Sequence, residues 1–380
     1  MNKVYLIIAC IGFDNISFFI NGEVFIPEGY YLFMIIEFED IKPGYDIILV
    51  GAGRAGYSFI SAISDKFNIL VIDSKSFPRS KACSGVLVEE SIKYLYKDLD
   101  NVPLSKPAKI DVEYVDWDNN LEGLLKKKSF VNTDRFGLDE YFFDQMKDKK
   151  NVDFVTKTKL IEFDSDKSKD YVVGLCESNG VVKSVVSKYL VGCDGATSIV
   201  RRKIFKKDID FYIAIQELIP TKIKLEKAFF ILDSSLTDFY CWVIPKDNYV
   251  EIGGLFHSHN SNKLFEDFKL KLSKRFGITG KGSIEAAIVL RPKNLNDICF
   301  GQGNVFLCGE AAGLISPRSA EGISYALQSG EVCANTINFN KKNLINHYKI
   351  GCKSILNQLT REIDKSKIFS NVSKRKKLFD

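Results

Sequence analysis

Residues 45 to 74, YDIILVGAGRAGYSFISAISDKFNILVIDS, constrain the fold of this chain more tightly than any other stretch. Tyr45 to Val50 is an apolar run with one acid, the pattern of a parallel strand buried on both faces. Gly51, Gly53 and Gly56 follow as G-x-G-x-x-G. The first glycine permits a tight turn, the second lets a diphosphate approach the backbone, and the third allows close helix-strand packing. Phe59, Ile60, Ile63 and Phe67 then recur at helical spacing, and Ile69 to Ile72 reads as a second strand ending in Asp73. A carboxylate there can accept hydrogen bonds from ribose hydroxyls. Strand, turn, helix, strand and acid in this order predict a dinucleotide site. A purely structural glycine turn would leave Asp73 without a purpose.

Two later stretches repeat the logic of an acid at the carboxyl end of a strand. In YLVGCDGATSIVRR, Tyr189 to Val191 reads as a strand, Gly192, Asp194 and Gly195 follow it, and a helix over Ser198 to Arg202 comes next. In CGEAAGLISPRSAEGISYALQSG, Val305 to Cys308 closes a strand, Glu310 is the acid, and a helix begins between Ala320 and Leu327. Small residues allow close approach, Glu310 can bind polyol hydroxyls, and a helix N-terminus can stabilise negative charge on a reduced isoalloxazine ring.

Composition excludes several alternatives. The 380 residues, 46% apolar and 27% charged, suit a globular chain of two or more domains rather than a disordered one. A net charge of +5 from 53 basic and 48 acidic residues implies no nucleic acid partner. Nine cysteines without a C-x-x-C pair suit a reducing compartment and neither a disulfide framework nor a zinc site, so a cytoplasmic location is expected. Residues 1–44 form an N-terminal extension whose apolar run from Val4 to Phe13 is too short to span a membrane. Ile8-Ala9-Cys10 is a poor lipoprotein-like site. His257, His259 and His347 predict no metal site.

The three motifs G-A-G-R-A-G, G-C-D-G-A-T-S and G-E-A-A-G-x-x-x-P, in this order, resemble the FAD-binding signatures of the flavoprotein group that contains aromatic hydroxylases and geranylgeranyl reductases. Hydroxylases of that group carry a histidine after the two alanines, whereas this chain has Gly313, as the reductases do. FPRSKACSGVLVEESIKYL and FYCWVIPKDNYVEIGG resemble reductase-branch segments. The second matches a Y-x-W-x-F-P motif and glycine pair through Tyr240, Trp242, Pro245, Gly253 and Gly254. The bacterial CbrA-type proteins are similar through DFYIAIQE and FFILDSSLTDFYCWVIPKDNYVEIGG as well. Departures are Arg54 for a common proline, Ser84 for a glycine of C-G-G, and Glu310 for the aspartate of most of the superfamily.

The resemblance implies an α/β architecture: a Rossmann-like FAD-binding domain of glutathione-reductase type over 45–205 and 295–335, an inserted antiparallel-sheet substrate domain over 206–294, and a C-terminal helical region over 336–380. It implies FAD as cofactor, with Gly51, Ala52, Gly53, Gly56 and Asp73 at the ADP half. Asp194 and Gly195 would approach the diphosphate, Glu310 the ribityl chain, and Gly309 and Gly322 the cofactor from the third motif. Arg135, in the R-x-x-x-D helix start of TDRFGLDEYFF, would contact it too, with Asp139 structural. Cys83 is the expected proton donor or flavin-side contact, since a thiol near its ordinary pKa of about 8.5 is mostly protonated at neutral pH. Tyr240 and Trp242 on one strand face, with Phe229, Phe230 and Phe239 near, would wall an apolar substrate tunnel.

The expected activity is reduction of carbon-carbon double bonds in an isoprenoid or other apolar substrate, with electrons from NAD(P)H or a ferredoxin. A flavin monooxygenase using NAD(P)H and oxygen, and a redox protein without turnover, are the alternatives. The basic tail of Lys374, Arg375, Lys376 and Lys377 is expected to be solvated or to contact anionic lipid headgroups.

Overall fold

Continuous apolar runs decide the main sheet. Ile47, Ile48 and Leu49 have no exposed surface, nor have Ile69 to Ile72, and each such side chain contributes about 1.5–3 kcal/mol on burial. The computed structural model describes residues 19–20, 23–24, 36–79, 81–95, 101–123, 130–147, 149–165, 170–339, 342–376 and 379. Phe19–Ile20 pairs with Glu23–Val24 in a unit covering Met1–Phe33, and the rest of the chain, Met34–Asp380, is a second unit. Ile8-Ala9-Cys10 lies outside the described residues.

In the second unit, Gly44–Val50, Ile69–Ile72 and Val152–Val155 pair in parallel. On its other side Gly44–Val50 meets the second half of Val181–Gly192, which pairs in parallel with Val305–Leu307. The first half of Val181–Gly192 runs antiparallel to Val172–Ser178, which pairs in turn with Lys159–Asp164. Register sets Ile72, Val50, Gly192 and Leu307 side by side in one row. Whatever follows those four residues therefore shares one edge of the sheet.

The second sheet runs in the order Ser283–Leu290, Phe211–Pro220, Tyr249–Phe256, Cys241–Lys246, Lys227–Leu232, Leu104–Asp116, Phe130–Thr133 and Val86–Leu87. All its neighbours on that path are antiparallel except Lys227–Leu232 against Leu104–Asp116. It thus draws strands from residues 86–133 as well as from 206–294. The strand Leu104–Asp116 forms although Lys106, Pro107, Lys109 and Asp111 interrupt its apolar alternation. One face of this sheet packs Ile215, Val243, Ile252 and Phe256 against Phe265, Phe268 and Leu272 of the helix Ser261–Phe276. Phe229 belongs to that face and touches Phe276, so it leaves the expected aromatic wall. The other face carries Tyr212, Tyr240, Trp242 and Ile244.

Helices Leu344–Gly351, Lys353–Phe369 and Val372–Arg375 end the described chain. Arg375 is 1% exposed and pairs with Asp116 at 3.1 Å and with Asp118, so the tail is docked on the second sheet rather than free at that residue. No helix among the described residues is long and apolar enough to cross a membrane.

Candidate functional site

The row Leu307, Gly192, Val50, Ile72 projects four segments onto one carboxyl edge, the place where open α/β sheets bind ligands. At Gly51 the backbone turns with φ +95°, and a Cβ there would stand 2.5 Å from the Cys193 carbonyl oxygen, so only glycine fits. A Cβ on Gly56 would stand 2.3 Å from the Gly51 oxygen, which is why the helix Arg54–Ala62 can lie so close to the turn. The N–H of Ala52 donates to Asp73 Oδ2 at 2.9 Å. Asp73 is 3% exposed and also receives both contacts of Arg79 Nη1, at 3.1 and 3.0 Å. Arg79 Nη2 lies 3.2 Å from where a Cβ of Gly53 would be.

Beside this turn, Asp194 Oδ2 accepts the Ile199 N–H at 2.8 Å, capping the helix Ile199–Ile204 jointly with Ser198. Its Oδ1 is buried and has no hydrogen-bond partner among the described residues. Burial pushes this carboxyl upward. Gly195, one residue on, has open space where a side chain would stand. An unmet acceptor next to open space fits a ligand hydroxyl. The Gly309 N–H donates to Ser329 Oγ at 2.8 Å, and Glu310 Oε1 accepts the Leu290 N–H at 3.0 Å while Oε2 faces Lys81 Nζ at 3.7 Å.

Gly322 caps the helix Ile323–Asn338. The helix N-terminus expected to face a reduced isoalloxazine has an acid beside it. Glu321 already accepts the Ser324 N–H at 2.7 Å and the Ser324 hydroxyl at 2.7 Å, and burial holds its carboxyl above the usual range. An anion arriving at this end meets Glu321 as well as the dipole.

Arg135 starts the helix Arg135–Lys147, and its Nη1 meets Asp139 Oδ2 at 2.5 Å. Arg54 pairs with the other oxygen of Asp139. Cys83 lies half-buried near these cations. Burial opposes its ionisation, but Arg135, the Gly85 N–H, Arg54 and Lys81 outweigh it and lower the thiol's pKa. The thiol is therefore not unperturbed: the neighbouring cations shift it toward the thiolate, the form that reacts as a nucleophile.

The second sheet closes the site from the other side. Tyr240 donates to the Ser319 carbonyl at 2.6 Å, tying the sheet to the loop before Gly322, and burial raises its phenol so that it stays neutral. Trp242 donates from Nε1 to Glu251 at 3.0 Å. Lys246, 5% exposed, donates to the carbonyls of Ser84 at 2.6 Å and Thr133 at 2.7 Å. Burial raises the Glu251 carboxyl and lowers the Lys246 ammonium. Neither residue was singled out from the sequence. The available signal was a charge on the same period-two face as Trp242, in two strands otherwise apolar on that face.

Histidine 257 approaches Tyr212 and Asp238, each at 3.2 Å, and the described residues contain no group of side chains able to hold a metal. A polar cleft of about 950 Å³ opens beside Gly44, Tyr45 and Asn68, at the opposite edge of the main sheet, away from the convergent groups.

Comparison with known proteins agrees with this geometry. The FAD binding domain family matches residues 134–211. Protein CbrA of Shigella dysenteriae serotype 1 is 30% identical over 304 residues, 77% of this chain and 84% of that protein. Protein CbrA of Escherichia coli O6:H1 is 29% identical over 343 residues, 87% of this chain and 92% of that protein. Among solved structures, a geranylgeranyl bacteriochlorophyll reductase-like protein of Thermoplasma acidophilum superposes with a TM-score of 0.75 at 17% identity, covering 88% of this chain and 90% of its own. PqsL of Pseudomonas aeruginosa, a probable FAD-dependent monooxygenase, gives 0.67 at 14% identity, covering 89% and 100%. These two likenesses speak to the fold.

Proposed function

The chain belongs to the CbrA family and carries an FAD-binding domain, and from that premise we propose that it is an FAD-dependent oxidoreductase reducing carbon-carbon double bonds of an apolar, isoprenoid-like substrate. Bound FAD supplies the hydride or electrons, and the protein binds, orients and excludes water. Asp73, Ala52, Asp194 and Glu310 stand where a dinucleotide's hydroxyls and phosphates are held, and the unpaired Asp194 Oδ1 fits such a ligand.

The observation that carries the reading is the aromatic face formed by Phe230, Phe239, Tyr240 and Trp242, tied by Tyr240 to the Ser319 loop and by Lys246 to the Cys83 turn. Such a face suits an apolar chain lying against the cofactor edge. Gly313 supports the reductase branch over the hydroxylases. With φ +83°, and with a Cβ that would stand 2.9 Å from the Asp297 oxygen, it leaves no room for the hydroxylases' histidine. Reduction of an alkene also consumes a proton. Besides Cys83, Glu251 and Lys246 are candidate sources, because burial raises the pKa of the carboxyl and lowers that of the ammonium. The reducing equivalents come from NAD(P)H or a ferredoxin, and only one glycine fingerprint is present in the chain.

The test follows flavin absorbance of purified protein reduced without oxygen while a polyprenyl lipid and then air are added. Reoxidation by the lipid is the expected result. Reoxidation only on admitting air would refute the double-bond reductase in favour of an oxygenase or another acceptor, and lack of a flavin spectrum would refute the cofactor assignment.

A further inference from the structure

An arginine opens the helix after the glycine turn, at the position where related loops have a neutral proline. Arg54 is 8% exposed, with its guanidinium 4.8 Å over the Phe142 ring. Its one ionic partner among the described residues, Asp139, is shared with Arg135. Two guanidiniums thus face one carboxylate, leaving an excess positive charge in a buried place. Nε and Nη2 of Arg54 and Nε of Arg135 have no hydrogen-bond partner among the described residues. Arg79, whose Nε is also unpartnered, reaches toward Gly53 from the other side. The helix Arg54–Ala62 has no side-chain cap and no acidic residue in its first turn.

A buried guanidinium with unmet donors costs several kcal/mol, and arginine does not escape by losing its proton. An anion with several oxygens removes that cost. Burial and the neighbouring Arg135 disfavour the charge on Arg54, and the nearby Cys83 favours it without supplying a hydrogen bond to Nε or Nη2. We propose that Arg54, supported by Arg135 and Arg79, binds the diphosphate of the cofactor, so that this chain holds with a side-chain cation what a proline-bearing loop holds with backbone N–H groups alone. The proposal rests on the FAD reading above. Guanidinium forks match phosphate oxygens in geometry as well as charge.

The experiment uses the full chain freed of flavin, titrated with FAD, ADP and riboflavin, with each dissociation constant measured at low and high salt. Substitution R54M is expected to weaken FAD and ADP by about 10- to 100-fold, the worth of hydrogen bonds to a charged group, while leaving riboflavin unchanged and flattening the salt dependence. R54K keeps a cation against Asp139 but not the fork, and is expected to lose at least about fivefold for FAD and ADP; it serves alone if R54M does not fold. Binding of FAD and ADP within twofold of wild type by whichever variant folds, even with a lowered melting temperature, overturns the proposal and leaves Arg54 as a structural partner of Asp139. Wild-type protein that binds ADP but neither FAD nor riboflavin would instead sink the cofactor reading.

Discussion

Two glycines in left-handed conformation offer a matched test of where the cofactor lies. Gly195 has φ +71° and Gly180 has φ +82°, and neither would place a Cβ within 4 Å of another atom. Gly180 sits in the turn between Val172–Ser178 and Val181–Gly192, while Gly195 follows Asp194 at the carboxyl edge. Alanine at either position costs about 1–2 kcal/mol of backbone strain, since L-residues disfavour this region. The two variants are therefore expected to melt alike, each down by a few degrees. They separate on binding. A methyl group at Gly195 enters the space where the ligand approaches, an overpacking worth about 1–3 kcal/mol, or about 5- to 150-fold in dissociation constant. The assay is flavin fluorescence titration of the flavin-free variants, with melting curves taken in parallel. Equal FAD affinity for Gly195→Ala and Gly180→Ala would show that the open space at Gly195 is not ligand space, and the edge assignment built on the strand register would fall with it.

Two further substitutions probe the other side of the site. At Gly253 an added Cβ would stand 2.4 Å from Trp242 Cζ2 and 2.7 Å from the Ile215 oxygen, so Gly253→Ala is expected to push the indole off Glu251. Overpacking and the lost hydrogen bond together cost about 2–5 kcal/mol, part of which W242L should restore; a loss under about 0.5 kcal/mol in denaturant unfolding would contradict the packing argument. Cys83 tests the electrostatics. A thiol whose pKa is lowered stays ionised to lower pH, so its alkylation by iodoacetamide should reach half-maximal rate below the free-thiol value of about 8.5, and Arg135→Gln should move that midpoint upward. A midpoint at or above about 8.5 in the wild type would refute the influence of the cations.

What the sequence made legible was the part of the fold written in consecutive residues. Gly51, Asp73, Asp194 and Glu310 each follow a short apolar run directly, and strand register then brings them to one edge without further instruction. Long-range pairings were not legible. Arg375 meets Asp116 across 259 positions, and the strand Leu104–Asp116 hides its alternation behind Lys106 and Pro107. The role of Glu321 was missed for a different reason: a carboxyl next to a helix start reads as ordinary first-turn chemistry, and only its bonds to Ser324 show that it occupies the end assigned to the isoalloxazine. Arg54 was visible as a departure from a motif, but its shortage of partners required the position of Asp139 in space.

Lys246 and Glu251 carry the argument one step further. A sheet that only had to cradle a lipid would be at least as stable with apolar residues at both positions, because burying charged groups usually returns no net stability. The pair instead holds three things at once. Lys246 fixes the carbonyls of Ser84, next to Cys83, and of Thr133, two residues before Arg135, and Glu251 fixes the indole of Trp242. Burial also raises the pKa of the Glu251 carboxyl and lowers that of the Lys246 ammonium, so two titratable groups stand beside an otherwise aromatic face. Under the proposed double-bond reduction, a substrate along this face would meet apolar surface over most of its length and these two titratable groups at one end, which a passive lipid cradle would not require.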